Sequence, residues 1–382
     1  MNKPSTEKII INGGCAAECR SYAREHFGEA YAVVCDGNTE PIARKAFPGD
    51  ELIVFPAGSH ATEQAADDCI SRIKSDELCG LIACGSGSVH DIARYSAHDR
   101  KIPFVSFPTA ASVDGFASGV AAMTWHGRKV TFPSTPPIAL FADDDVYSSA
   151  PRELLASGVG DIVGKYVSIF DWIFTSLLTS ETVEDDIYKL ENESLETVMH
   201  CDISSPDYPH GVMDCLVKSG IAIQLKGSSR PASGAEHHLS HLWEMGCIGT
   251  PRHAYHGEQV GVSTLFVLDR YKRNPRPQLR PKPLDRELLR PTFGTLTDGI
   301  IEENTPDSLA EITQSALDAN ADRIAELIKA LPDPEEIREY LLSVGAKTTL
   351  TELGLPDSTE FIQRSLDWAP YVRRRLTYLK VI

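Results

Sequence analysis

Five histidines, His237, His238, His241, His253 and His256, fall within 20 residues of a chain that carries only 12. His237 and His241 are i and i+4 and share one helical face, so two imidazoles can meet one ion. Metalloproteases use the same spacing with a glutamate directly after the first histidine; His238 stands there instead, which sets that chemistry aside. A third, anionic ligand would complete two imidazoles and a carboxylate with one position open, an arrangement for Lewis-acid catalysis rather than for structure. Among many carboxylates Asp161 stands out, in Gly158-Val159-Gly160-Asp161-Ile162-Val163-Gly164-Lys165 at an expected helix start, with Lys165 one turn on. A single histidine is ordinarily solvated or part of a core. Five beside a glycine-flanked aspartate ask for a metal.

A second constellation is Leu81-Ile82-Ala83-Cys84-Gly85-Ser86-Gly87-Ser88-Val89-His90-Asp91, which reads as strand, tight turn and helix. Glycines let the backbone approach a phosphate, and the helix that follows offers unpaired N–H groups and the positive end of its dipole. A tight turn without a ligand would look much the same. The turn also follows the fourth expected strand, not the first, so it is not the usual dinucleotide fingerprint. Asp36, closing the run Ala32–Cys35, is suited to an adenosine ribose and equally to a turn before Gly37-Asn38.

The elements that must carry these groups change character along the chain. Apolar runs at Ile9–Ile11, Ala32–Cys35, Leu52–Phe55, Leu81–Cys84, Phe104–Phe107 and Ile138–Ala142 alternate with helical spacing, as at Ala65–Ile73 and Val89–Ala97. That is the pattern of a largely parallel sheet covered on both faces. Beyond about residue 150 helical periodicity takes over, with helix starts at Asp333-Pro334-Glu335-Glu336 and a capping-box spacing at Asp357-Ser358-Thr359-Glu360. The stretch Lys272–Pro283, with four prolines, reads as a loop. The expected fold is an α/β N-terminal Rossmann-like dinucleotide-binding domain over 1–150 and an all-α metal- and substrate-binding domain over 151–382.

Of the 382 residues 42% are hydrophobic and 24% charged, a globular composition, and the formal charge is −17. An acidic chain is a poor partner for nucleic acid or anionic membranes, yet an anionic small molecule needs only a local cluster of Lys or Arg. Nine cysteines without a CxxC pair read as reduced, mostly buried thiols. No apolar run is long enough for membrane insertion, and no signal peptide is read at the N-terminus, so the expected location is cytoplasmic.

With these pieces in place the chain resembles the iron-containing alcohol dehydrogenase and dehydroquinate synthase-like superfamily. Within it the likeness is to the sn-glycerol-1-phosphate dehydrogenases, the bacterial branch especially. The resemblance is carried by Pro108-Thr109-Ala110-Ala111-Ser112-Val113-Asp114-Gly115-Phe116-Ala117-Ser118, by Pro137–Asp143, and by Gly160-Asp161-Ile162-Val163-Gly164-Lys165-Tyr166. Gly227–His241 and His256-Gly257-Glu258 complete it. The resemblance implies a metal held by Asp161, His237 and His256; nitrogen and oxygen ligands suit zinc, taken first, and equally nickel or iron. It also implies NAD or NADP contacts at Gly85, Ser86, Gly87, Ser88, Asp91, Thr109, Ser112 and Ser118. Asp114 would lie where nicotinamide and substrate meet, and His241 would be a substrate-side group. GSGS replaces the usual GGGS turn, and His90 stands where an aliphatic residue is common.

The expected reaction is NAD(P)- and metal-dependent reduction of dihydroxyacetone phosphate to sn-glycerol 1-phosphate by a homo-oligomer. Lys165 is the first candidate for the substrate phosphate, ahead of Lys129 and Arg230, which also read as structural or solvated. The alternatives are a glycerol or polyol dehydrogenase on an unphosphorylated substrate and a dehydroquinate synthase-like cyclase. The cyclase would need Lys and Arg in Pro108–Ser118, where there are none.

Overall fold

The computed structural model describes residues 3–73, 78–252, 254–279, 281–310 and 312–382. Its strands are β1 (Lys8–Ile11), β2 (Tyr31–Asp36), β3 (Glu51–Phe55), β4 (Gly80–Gly85), β5 (Phe104–Pro108), β6 (Val120–Trp125), β7 (Arg128–Pro133) and β8 (Ala139–Ala142). Six of them form one parallel sheet in the order β1-β8-β5-β4-β2-β3. β2, β4, β5 and β8 are buried at every position, which is why each reads as an unbroken apolar run and not an alternating one. Helices α1 (Ala16–Phe27), α2 (Glu40–Ala46), α3 (Glu63–Arg72) and α4 (Gly87–Arg100) return the chain between parallel strands. Two apolar clusters cover the sheet, one with Ile92, Phe104 and Met123, the other with Phe27, Phe107 and Phe141.

The strand order places the glycine turn. β2 leads on to β3 at one side, while its other neighbour β4 leads the opposite way to β5. Connections diverge at the carboxyl ends of β2 and β4, the point where open α/β sheets bind ligands. With Val34 in register with Ala83, these two strands end on Asp36 and Gly85 side by side.

β6 and β7 make an antiparallel hairpin that the apolar runs leave unmarked. Its turn, His126-Gly127, has positive φ at both residues (49° and 77°), as a type I′ turn requires. The strand β7 is half-buried nearly throughout, so its side chains show no clean alternation to read.

After β8 the chain is helical: α5 (Asp144–Tyr147), α6 (Arg152–Val163), α7 (Lys165–Leu178), α8 (Asp185–His200), α9 (Tyr208–Lys226), α10 (Ala235–Glu244) and α11 (His256–Arg273), with further helices through Trp368. Asp333 caps the helix Pro334–Ser343, accepting from the Glu335 N–H at 2.9 Å. The capping box expected at Asp357 is displaced by one residue. Ser358 is the cap and accepts from the Phe361 N–H, so Glu360 does not stand three residues past the cap. The proline-rich segment is a loop only after Arg273, since α11 runs that far. Among the described residues no helix is long and apolar enough to cross a membrane.

The chain divides into two compact units, Met1–Gly158 with Glu196–Ser229 and Val159–Leu195 with Arg230–Ile382. The first unit therefore includes α9 as well as the sheet, whereas the sequence places one division near residue 150.

Candidate active site

In the first unit the glycine turn is built by close packing. A Cβ on Gly85 would lie 2.5 Å from Val89 Cβ, and one on Gly87 would lie 3.0 Å from Val113 Cγ2. Ser86, the departure from the usual turn, has φ −94° and ψ −164°, extended backbone that any residue adopts. His90 is buried; its Nδ1 meets Ser86 O at 3.0 Å and its Nε2 meets Ser106 Oγ at 2.9 Å. Burial, reinforced by the Arg94 charge, pushes its pKa down to about 3, so the ring is a neutral strut between turn and sheet.

Of the other residues expected at the dinucleotide, Asp36 ends the strand beside the turn and Thr109 N–H donates to Gly85 O at 3.0 Å. Asp36 accepts through Oδ1 from Asn38 N–H, Thr39 N–H and Thr39 Oγ1, at 3.1, 2.9 and 2.9 Å. The turn role is thus filled by one oxygen only. Asp91 pairs with Arg94 at 2.8 Å, and Ser118 Oγ donates to Val120 O. Thr109, Ser112 and Asp114 are all buried. Asp114 opens a short 3-10 turn, Asp114–Ala117, that rests on α9: a Cβ on Gly220 would lie 2.7 Å from Asp114 O, and Ser219 Oγ donates to Asp114 Oδ2 at 3.0 Å. Fully buried Arg94 also donates to Val120 O and to the Gly115 and Phe116 carbonyls. It is a positioning residue that the sequence reading misses, because a charge on a helix reads as solvated.

The metal candidates lie together in the second unit. One ligand atom each from Asp161, His237 and His256 can be chosen with all three within 4.8 Å of one another. Asp161 is in the last turn of α6, His237 in the first turn of α10, and His256 is the first residue of α11. The expectation that Asp161 begins a helix is therefore corrected: it ends one. Gly160 and Gly164 on either side of it serve helix contact. A Cβ on Gly160 would stand 2.2 Å from Gly257 O, and one on Gly164 would stand 2.8 Å from Val260 Cγ1. Helix α11, whose first residue is His256, is capped by Glu258, which accepts from the Tyr255 N–H and from Lys347 Nζ, both at 2.9 Å.

The hydrogen bonds fit an ion. His237 Nδ1 meets Glu236 Oε1 at 2.7 Å, and His256 Nδ1 meets Glu244 Oε1 at 2.8 Å. Carboxylates on Nδ1 leave Nε2 as the lone-pair nitrogen, the second-sphere arrangement usual for metal-bound histidine. His237 Nε2 is 3.4 Å from Asp161 Oδ1. Two ligands at tetrahedral positions, each about 2.1 Å from one ion, would be about 3.4 Å apart. Neither outer carboxylate was singled out from the sequence; Glu236 directly precedes a ligand and Glu244 shares its helix, but a glutamate on a helix usually faces water.

Electrostatics agree. Burial raises the Asp161 pKa, but Lys165 and then the two imidazoles more than offset it and keep the carboxylate ionised. Burial lowers His237, and Asp161 with Glu236 overrides this, carrying it up to about 9 without an ion. That proton must leave when a cation binds. Lys165 has no exposed surface; its Nζ donates to Asp161 O and Ala232 O at 3.2 Å each and lies 4.0 Å from Asp161 Oδ1.

His241 stands beside the ligands, its ring centroid 5.9 Å from His237 and 5.6 Å from His256. With Glu244 and His256 it makes a second set of potential donors. His238 is fully buried, and neither ring nitrogen has a hydrogen-bond partner among the described residues. His253 lies outside the described residues. Arg230 is structural: Nε pairs with Glu181, and its other nitrogens donate to Leu376 O, Asp171 O and Thr175 Oγ1. Lys129 lies on β7. The Asp171 carboxylate accepts from Ala235 N–H, Tyr271 OH and Tyr378 N–H, each at 2.8 Å, and so fastens α7, α10, α11 and the segment at 378 to one another. Burial pushes it up to about 7 against the pull of the two amides.

The family described as iron-containing alcohol dehydrogenase matches residues 10–151. The glycerol-1-phosphate dehydrogenase [NAD(P)+] of Geobacillus stearothermophilus is 40% identical over 391 residues, covering 98% of this chain and 91% of that protein. The enzyme of the same name from Bacillus licheniformis is 34% identical, covering 99% and 89%. Among solved structures, a probable glycerol dehydrogenase from Sinorhizobium meliloti 1021 shares the fold, with a TM-score of 0.67, 15% identity and coverage of 98% and 96%.

Proposed function

This chain belongs to the glycerol-1-phosphate dehydrogenases within the iron-containing alcohol dehydrogenase family, and on that premise we propose that it catalyses reversible, NAD(P)- and metal-dependent reduction of dihydroxyacetone phosphate to sn-glycerol 1-phosphate. The observation that carries the reading is the convergence of Asp161, His237 and His256 in a relative of those enzymes.

Asp161, His237 and His256 hold a divalent ion, for which we take zinc, nickel and iron being the other ions that two imidazoles and a carboxylate suit. When bound, the ion supplies Lewis-acid polarisation of the ketone and the reduced nicotinamide supplies the hydride. Glu236 and Glu244 fix the tautomer and aim of the two ligand rings. Lys165 acts on the Asp161 carboxylate, holding it ionised, and not on the substrate phosphate; the support is its complete burial beside that group. His241 passes a proton at the substrate side of the ligand rings.

In the first unit the Gly85–Ser88 backbone and the start of α4 take the pyrophosphate, with Asp91 beside them. Asp36 binds a ribose hydroxyl through the oxygen its turn leaves over, and Thr109, Ser112, Asp114 and Ser118 serve the nicotinamide end. Support comes from Asp36 and Gly85 at the diverging ends of β2 and β4 and from Thr109 N–H, which donates to Gly85 O at 3.0 Å. Nine free cysteines suit the cytoplasm, and the assembly is taken as a symmetric homo-oligomer, the commonest form among soluble oligomers.

The test is a substrate panel on protein stripped by chelator and reloaded with each ion. Dihydroxyacetone phosphate should be reduced with a kcat/KM well above those of dihydroxyacetone and of glycerol in the reverse direction. Comparable rates on the unphosphorylated compounds would make this a polyol dehydrogenase.

A further inference from the structure

A phosphorylated substrate needs cations, and in a chain of charge −17 they must be gathered locally. Lys165 and Arg230, named for this from sequence, are engaged within the fold. The run Val372-Arg373-Arg374-Arg375-Leu376 supplies others. The 3-10 turn Ala369–Tyr371 packs against α10 and so delivers the next residues to the helix that carries His237. Arg373 is only 9% exposed, yet among the described residues it makes no hydrogen bond or ion pair. Glu303 and Glu244 are the carboxylates whose charge reaches it, and neither pairs with it. Arg375 Nη1 donates to Ser233 O, just before α10 begins.

Two more groups there are equally unspent. Ser233 Oγ and both ring nitrogens of His238 are buried without a hydrogen-bond partner among the described residues. Arg375, Arg373 and Arg230 all lie near enough to His238 for their charges to reach its ring. Burial pushes Arg373 down to about 10; burial, then repulsion from Arg230 and Arg373, pushes Arg375 to about 9. Guanidiniums this crowded still carry their charge at neutral pH. Buried donors left idle beside two guanidiniums are costly unless an anion is received there.

We infer that Arg373 and Arg375, with Ser233 and His238, form an anion site on α10 that binds the phosphate monoester of the substrate. The inference rests on the glycerol-1-phosphate reading for the identity of that anion. Planar guanidiniums, a hydroxyl and an imidazole N–H suit a tetrahedral dianion. His238 follows His237 by one residue, about 100° round the helix, so one helix presents both the metal ligand and the phosphate donors.

The experiment compares wild-type holoenzyme with Arg373→Gln and Arg373→Lys. With Arg373→Gln, KM for dihydroxyacetone phosphate should rise roughly 10- to 100-fold, well beyond any change on unphosphorylated dihydroxyacetone, and Arg373→Lys should recover part of the loss. Inorganic phosphate should inhibit competitively against the phosphorylated substrate and weaken by a similar factor in Arg373→Gln. Equal losses on both substrates, or unaltered phosphate inhibition, overturn the assignment. So does phosphate that binds undiminished beside saturating substrate, since the site would then serve free phosphate alone. Should wild type fail to reduce dihydroxyacetone phosphate, the proposed reaction falls, and calorimetric titration with inorganic phosphate still judges the site: weaker binding in Arg373→Gln supports it, unchanged binding ends it.

Discussion

Gly160→Ala adds one methyl group where α6 crosses α11, and its consequence can be worked from the contact. The new Cβ would sit 2.2 Å from Gly257 O and 3.0 Å from Gly257 C. Ordinary carbon–oxygen contacts begin at roughly 3.3 Å, so the helices must part by about 1 Å. Neither neighbour can rotate away, because both atoms are backbone. Overpacking of this kind costs about 1–3 kcal/mol. The larger effect falls on the metal, because Asp161 and His256 each lie one residue from the clash, on opposite helices. Metal–ligand distances tolerate only about ±0.2 Å, so a 1 Å opening should empty the site at metal concentrations that saturate wild type. Metal content after dialysis, measured with the thermal unfolding midpoint, reads both effects. Gly261→Ala is the control: its Cβ would meet Gly160 Cα at 3.3 Å, a contact that a few tenths of an ångström relieve, and it should keep its metal. A Gly160→Ala protein with wild-type metal content and midpoint would show that the crossing yields without disturbing the ligands, and the argument would fail.

Further outcomes follow from the same geometry. His237→Ala and His256→Ala should each lose metal and activity together, whereas His238→Ala should keep its metal; the reverse pattern of metal contents would reassign the ligands. Glu244→Gln leaves a weaker acceptor on His256 Nδ1 and should lower metal affinity roughly 10- to 100-fold, which a competing chelator measures; unchanged affinity would mean that the carboxylate does not tune the ring. Lys165→Met should weaken reduction of dihydroxyacetone phosphate and dihydroxyacetone alike, and a loss confined to the phosphorylated substrate would return Lys165 to the phosphate. A carboxylate at Asp36 repels a 2′-phosphate, so NADH should serve at least as well as NADPH; strong NADPH preference that persists in Asp36→Asn would remove Asp36 from cofactor choice.

What was legible in the sequence depended on how local the physics was. Strands buried on both faces wrote themselves as apolar runs, and Asp333 announced its helix because a cap acts within one turn. The β6–β7 hairpin left no such mark, because its strand Arg128–Pro133 is half-buried on both sides and its turn is His-Gly. Asp161 was noticed through its glycines, but they were taken to flank a helix start; Gly160 and Gly164 meet Gly257 and Val260, which no window around Asp161 contains. Glu236, Glu244, Arg94 and Arg373 were passed over for a common reason. A charged residue in a helix or basic run looks solvated until the partner that buries it is known.

Asp171 carries a consequence for the order in which the protein is made. Its carboxylate waits on α7 for a backbone amide at Ala235, a phenol at Tyr271 and finally the amide of Tyr378. The ribosome must deliver all three before that buried acid has its full set of donors, and the segment that delivers the last also brings Arg375 to Ser233. The anchor shared by α7, α10 and α11, two of them carrying His237 and His256, is therefore complete only when synthesis has passed residue 378.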